Sequence, residues 1–185
     1  GLAIVFFRPI LQLLGVVIIP EDKIGLVTKK FALMGAHKEL PSGRIIAIQG
    51  EAGYQAQSLA PGLYFWKWIW QYEITLQPLM VVPEGSIGLI MAKDGAPLRK
   101  GAVLARQVEC QMFQDAVAFL DNGGQKGRQA AFLTPGTYRI NTFLFDVSFA
   151  KMTRINENMV GIVTTLDGEP LGEGQIAGRV TEGHN

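Results

Sequence analysis

Residues 16–27 read VVIIPEDKIGLV and residues 79–90 read LMVVPEGSIGLI, one element written twice at an offset of 63 residues. Self-similarity at a fixed period of this size marks a repeat architecture, each copy being one supersecondary unit. A third copy follows. Val82–Met112 and Ile155–Asn185 align without a gap at an offset of 73, with nine of 31 positions identical, among them Gly88 with Gly161, DGAPL (94–98) with DGEPL (167–171), and Arg106 with Arg179. The far ends repeat as well, since GYQAQSLAPGLY (53–64) matches GRQAAFLTPGTY (127–138) at seven of twelve positions. A unit therefore opens near a P-E-x-x-I-G element and closes on P-G-x-Y, which divides the chain into 1–15, 16–78, 79–154 and 155–185.

Each unit has a physical reading. A strand, a turn at Pro20-Glu21-Asp22 or Pro83-Glu84-Gly85, and a second strand through Ile24–Val27 or Ile87–Met91 form the pattern of a hairpin. Pro61-Gly62 and Pro135-Gly136 place proline and glycine where a type II turn wants them. In the second unit FQDAVAFLDNGG (113–124) puts Phe113, Val117 and Leu120 on one helical face, with Asn122-Gly123 as the stop. Alternating strands close the units, with Trp70, Tyr72, Ile74 and Leu76 in the first and Phe143, Phe145, Val147 and Phe149 in the second. The fold class expected is α+β and β-rich: tandem repeats of short strands with small helices, preceded by an N-terminal membrane segment. The third copy stops at TEGHN (181–185), before its own helix and P-G-x-Y turn, so the natural chain is expected to continue past Asn185.

The membrane segment is read from residues 1–20, GLAIVFFRPILQLLGVVIIP, interrupted only by Arg8, Pro9 and Gln12. A helix ending near Leu14 would span roughly 21 Å at ~1.5 Å per residue, short of the ~30 Å of hydrocarbon, so part of a spanning anchor is expected to be missing. Phe6, Phe7 and Arg8 would then sit near one interface. The alternative is a buried core helix or strand.

All three tryptophans, Trp66, Trp68 and Trp70, lie at every second position of PGLYFWKWIWQYEITLQP (61–78). Trp70, Tyr72, Ile74 and Leu76 meet hydrophobic counterparts in the second unit and read as core. Phe65, Trp66 and Trp68 meet Arg139, Ile140 and Thr142 at an offset of 74, so their bulk is peculiar to the first unit. Indoles carry an apolar body and one N–H donor, which suits them to the depth of lipid headgroups, and Lys67 between them can snorkel outward. Core filling and an aromatic ligand platform are the competing readings.

Other chemistry finds little footing. Seventeen Lys plus Arg against sixteen Asp plus Glu, with no dense basic run, give phosphate backbones little to grip, so nucleic acid is excluded as a partner. His37 and His184 pair with no visible nucleophile, and two histidines with the single Cys110 cannot assemble a usual zinc site. GEGQIAG (172–178) has the wrong spacing for a dinucleotide fingerprint, and no loop ending in G-K-S/T occurs. No catalytic residue, cofactor or metal is therefore assigned, and Cys110 in an apolar setting beside Glu109 reads as an inert thiol.

The apolar leader with IPEDKIGLVTKKF, VPEGSIGLIMAKDG, DAVAFLDNGGQKGRQAAFLTPGTYRIN and NMVGIVTTLDGEPL resembles the stomatin/prohibitin/flotillin (SPFH, or band 7) superfamily, nearest its bacterial flotillin-like branch. The likeness covers nearly all of the chain after about Val16, and the closing motif LxPGxYRIN is fairly specific. The resemblance implies a β-rich domain lying against a membrane, no catalytic activity of its own, and large homo-oligomeric rings or cages. These would enclose a membrane microdomain and gather other membrane proteins, at a bacterial inner or plasma membrane or an internal one. The family's coiled-coil extension has no heptad pattern here, so oligomerisation rests on the resemblance. A soluble or peripheral tandem β-repeat adaptor binding a protein or saccharide is the alternative.

Overall fold

A computed structural model describes residues 10–11, 13–32 and 40–162 of the chain. The first unit contains β1 (Val17–Ile19), β2 (Lys23–Lys29), β3 (Ile46–Ala47), β4 (Gly53–Gln55), β5 (Gly62–Tyr64) and β6 (Tyr72–Pro78). The second contains β7 (Met80–Val82), β8 (Ser86–Ala92), α1 (Ala116–Asp121), β9 (Gly127–Leu133), β10 (Gly136–Tyr138) and β11 (Phe145–Lys151). Their pairings repeat. β1 runs antiparallel to β5, as β7 does to β10; β2 lies between β6 and β4, as β8 lies between β11 and β9.

The expected hairpin does not form. The Pro20 and Pro83 turns close, with Lys23 N–H donating to Pro20 O and Ser86 N–H to Pro83 O, each at 3.2 Å. Yet the strands on either side of each turn pair with different partners, Ile18 with Leu63 but Leu26 with Thr75. The cause lies in the glycine of the repeated I-G pair. A Cβ on Gly25 would stand 2.8 Å from Ile19 Cδ1 and 3.2 Å from Ile74 Cγ2, and one on Gly88 would stand 3.1 Å from Leu133 Cβ and 3.3 Å from Val82 Cγ2. The short strand thus lays its last side chain across the bare backbone of the long one, and the turn is a corner between two layers.

The closing motifs also differ from expectation. Gly62 and Gly136 have φ of 148° and 158°, far from the ~80° of a type II turn, and each opens a strand rather than a reverse turn. The tyrosine two residues on closes the corner, Tyr64 Oη donating to Ala60 O and Tyr138 Oη to Thr134 O, both at 3.0 Å.

Three further expectations are corrected. Among the described residues no helix is long and apolar enough to cross a membrane. Ile10, Leu11 and Leu13 make one helical turn that ends where Val16 N–H donates to Leu11 O at 2.8 Å, and β1 begins one residue later. The helical share of the described residues is small too, 6% against 39% strand, so among them the α part of an α+β class shrinks to little more than α1. Phe113 lies outside α1: Gln111, Met112 and Phe113 form a left-handed turn with φ of 51°, 54° and 62°, and Asp115 caps the helix by accepting from Ala118 N–H at 2.9 Å.

The main core lies in the second unit, where the rings of Phe113, Phe119 and Phe145 meet edge to face or tilted at 5.0–6.2 Å and where Ile46 and Ala56 of the first unit join the cluster. A smaller cluster of Val17, Ile19, Val27 and Leu59 serves the first unit. Other contacts also tie the units: Asn141 Nδ2 donates to Gln55 O (3.1 Å) and Ala56 O (2.8 Å), and the Tyr54 and Phe143 rings meet tilted at 4.3 Å. Because Leu133 Cβ and the β-branched Val82 and Val147 cannot swing away, Gly88→Ala is expected to cost about 1–3 kcal/mol, read as a lower denaturant midpoint with unchanged m.

Candidate functional site

Beyond β5 the chain leaves the extended conformation. Trp66 takes φ of 63°, a left-handed backbone that for a bulky residue costs about 1–3 kcal/mol, so the tryptophan alternation is not a strand pleat. Lys67 N–H then donates to Gly15 O at 2.9 Å, and Trp68 O accepts from Gln71 N–H (3.0 Å) and Tyr72 N–H (2.8 Å), a turn that launches β6.

This turn gathers the indoles into a ladder. Trp66 meets Trp68 edge-on at 5.5 Å, Trp68 stacks on Trp70 at 5.7 Å, and Trp70 stacks on Phe31 at 5.9 Å. Trp68 is the anchored rung, half-buried, with its Nε1 only 2.8 Å from where a Cβ on Gly15 would stand. The other rungs face outward: Trp66 is 72% exposed, Phe65 57% and Trp70 46%. Ile18 and Leu63, directly opposite each other across β1 and β5, are exposed as well.

Three lysines frame the ladder. Lys67 Nζ lies 4.7 Å from the centroid of the Tyr72 ring, Lys30 Nζ donates to Ile69 O at 3.0 Å, and Lys29 Nζ to Gly50 O at 2.5 Å. Burial, followed by repulsion from Lys29, holds the Lys67 ammonium below the usual lysine pKa, so an anion arriving there would restore what the site disfavours.

The structure thus brings Phe65, Trp66, Lys67 and Trp68 together, and adds three groups that sequence reasoning missed. Trp70, read as core, is exposed because β6 begins two residues later. Phe31 falls just beyond β2, outside any alternation. Lys29 and Lys30 were a signal in plain view, two adjacent cations leading into Phe31. Phe6, Phe7, Arg8, His37, His184 and 172–178 lie outside the described residues.

A concavity of about 480 Å³ opens between the units beside α1. Two of its polar side chains serve the fold: Asp115 caps α1 and Gln114 Oε1 accepts from Arg139 N–H at 3.1 Å. Cys110, buried nearby, has its thiol pKa pushed up chiefly by burial, opposed by the Phe113 N–H and reinforced by the charges of Glu109 and Asp115.

The chain matches no family model, no curated protein and no solved structure. The resemblance drawn from the motifs therefore stands on those motifs alone.

Two measurements check this geometry. Gly15→Ala, which combines a φ of +80° with the clash against Trp68, should cost about 1–2 kcal/mol and shift tryptophan emission as the ladder opens. Iodoacetamide at pH 7.5 should modify Cys110 at least about tenfold more slowly in the folded chain than in urea, as expected of a buried, protonated thiol.

Proposed function

We propose that this protein is a non-catalytic scaffold that lies on a membrane surface by the aromatic edge of its first unit. It assembles into large homo-oligomeric rings or cages that gather other membrane proteins. The exposure of Phe65, Trp66 and Trp70 carries the reading, with the left-handed backbone at Trp66 turning the chain out of the strand between them. Burying such a side chain is worth about 1.5–3 kcal/mol by area, and each lysine near an anionic surface adds about 1 kcal/mol. With a formal net charge of only +1, the attraction is local to this edge rather than a property of the whole chain. The assembly and its clients are supported by the SPFH resemblance.

The adaptor reading draws on the same rings, since the outward face of Trp66 could stack on a saccharide. Vesicle co-sedimentation separates the two. The full chain should bind phosphatidylserine-containing vesicles more tightly than pure phosphatidylcholine, and Phe65→Ser/Trp66→Ser should weaken binding at least about tenfold with circular dichroism unchanged. Undiminished binding by the folded double variant would overturn the membrane reading. So would no binding by the parent chain, and tryptophan quenching by soluble oligosaccharides would then favour the adaptor.

A further inference from the structure

The long strands of the two units turn matching faces to different surroundings. In β8, Ile90 and Ala92 point into the core at 1% and 3% exposure, so Ile87, Leu89 and Met91 point the other way. Their counterparts in β2, at the offset of 63, are Ile24, Leu26 and Thr28. That face of the first unit is closed. Ile24 and Leu26 are 1% and 2% exposed, and beside them Tyr54, opposite Thr28, and Gln77, opposite Ile24, receive the Phe143 ring and the Thr142 hydroxyl of the second unit. On the second unit the same face is open: Met91 is 47% exposed, and Phe132, opposite Leu89, is 36% exposed.

Charge decides what fits the open face. One row across the first sheet reads Tyr54, Thr28, Glu73, and the matching row across the second reads Arg128, Met91, Asp146. An arginine thus stands where the first unit offers a ring to Phe143, so this face is furnished for a different neighbour. A guanidinium beside an apolar stripe calls for a carboxylate beside another, and the face holds one itself. Asp146 Oδ1 lies 2.9 Å from Lys93 Nζ, yet the Asp146 side chain is 63% exposed, and Arg128 is exposed as well. The two flank Met91 from β9 and β11, one on each side of β8. A two-fold axis parallel to β8, midway between two facing sheets, therefore carries β9 of one copy over β11 of the other at the same level along the strand. Arg128 of each copy then faces Asp146 of the other, while Leu89 and Met91 meet their own counterparts on the axis. Such self-complementarity is what an isologous interface requires.

We propose that this face joins two copies of the chain in a two-fold pair, sheet against sheet at about 10 Å. The three strands have seven residues each. At about 4.8 Å between strands and ~3.3 Å per residue they offer a footprint of roughly 300 Å² per copy, well under the ~800 Å² of a standard stable interface, so the pair is weak and forms at high protein concentration. It is independent of what the aromatic edge of the first unit binds.

Sedimentation velocity of the full chain over the micromolar to sub-millimolar range tests this, with Phe65→Ser/Trp66→Ser as the background so that the aromatic edge takes no part. The background chain should pass reversibly from monomer to dimer. Arg128→Glu and Asp146→Lys should each weaken the pair at least about tenfold, because each alone opposes like charges twice across the axis. Mixing the two single variants should restore dimerisation, since every facing pair then joins opposite charges. Met91→Glu, which sets two carboxylates together on the axis, should also weaken it at least about tenfold, and it stands in for a charge variant that fails to fold. A background chain that stays monomeric throughout would overturn the proposal, whether its own continuation or nothing covers the face. So would single variants that self-associate undiminished, or a mixture of them that does not recover.

Discussion

The close crossing at Gly25 and Gly88 is the constraint on which the rest depends. At each, a three-residue strand turns a corner and rests a branched side chain, Ile19 or Val82, on a backbone stripped of its Cβ. The short strand must then find its hydrogen bonds away from its neighbour in sequence, and it finds them at the P-G-x-Y corner more than forty residues on. The tyrosine of that corner returns its hydroxyl to the carbonyl four residues earlier, which fixes where the next stretch departs. One missing methyl group thus sets the layer spacing, the pairing and the direction of the closing strand.

The same frame is furnished differently in the two units. In the second, α1 and the phenylalanine trio fill the space under the sheet, and the turn before β11 uses Asn141, whose side chain reaches the carbonyls of the first unit. The equivalent turn before β6 has Trp68, accepting the same pair of amides on its carbonyl but laying its ring on Gly15. Both side chains face what precedes their unit, one meeting a neighbouring unit and the other a helical turn. With a smaller core of its own, the first unit carries its largest side chains outside.

How much of this could be read from the chain alone follows from which interactions are local. The correspondence of residues between copies was legible because identical side chains recur at fixed offsets. Strand partners were not, because Ile18 and Leu63 meet across 45 residues and nothing near the Pro20 turn announces it. The tryptophan row shows the same limit. Alternation suggested a pleat, and only the left-handed Trp66 and the Gly15 contact, both products of tertiary packing, turn it into a stack of rings. Spacing alone puts Phe113 on the helix, but Asp115 caps two residues later, and the ring enters the core from a left-handed turn instead.

The uneven division of the core also grades the molecule mechanically. In a linear array each unit is secured by its own interior and by its neighbours, so the member with the leaner interior yields first. Here that member is the first unit, with its four-residue cluster, and its two buried contributions to the shared interior, Ile46 and Ala56, are packed among residues of the second. Softness is therefore concentrated at the end bearing the indoles, so the aromatic rungs can re-seat against a foreign surface while the phenylalanine-packed half keeps its shape.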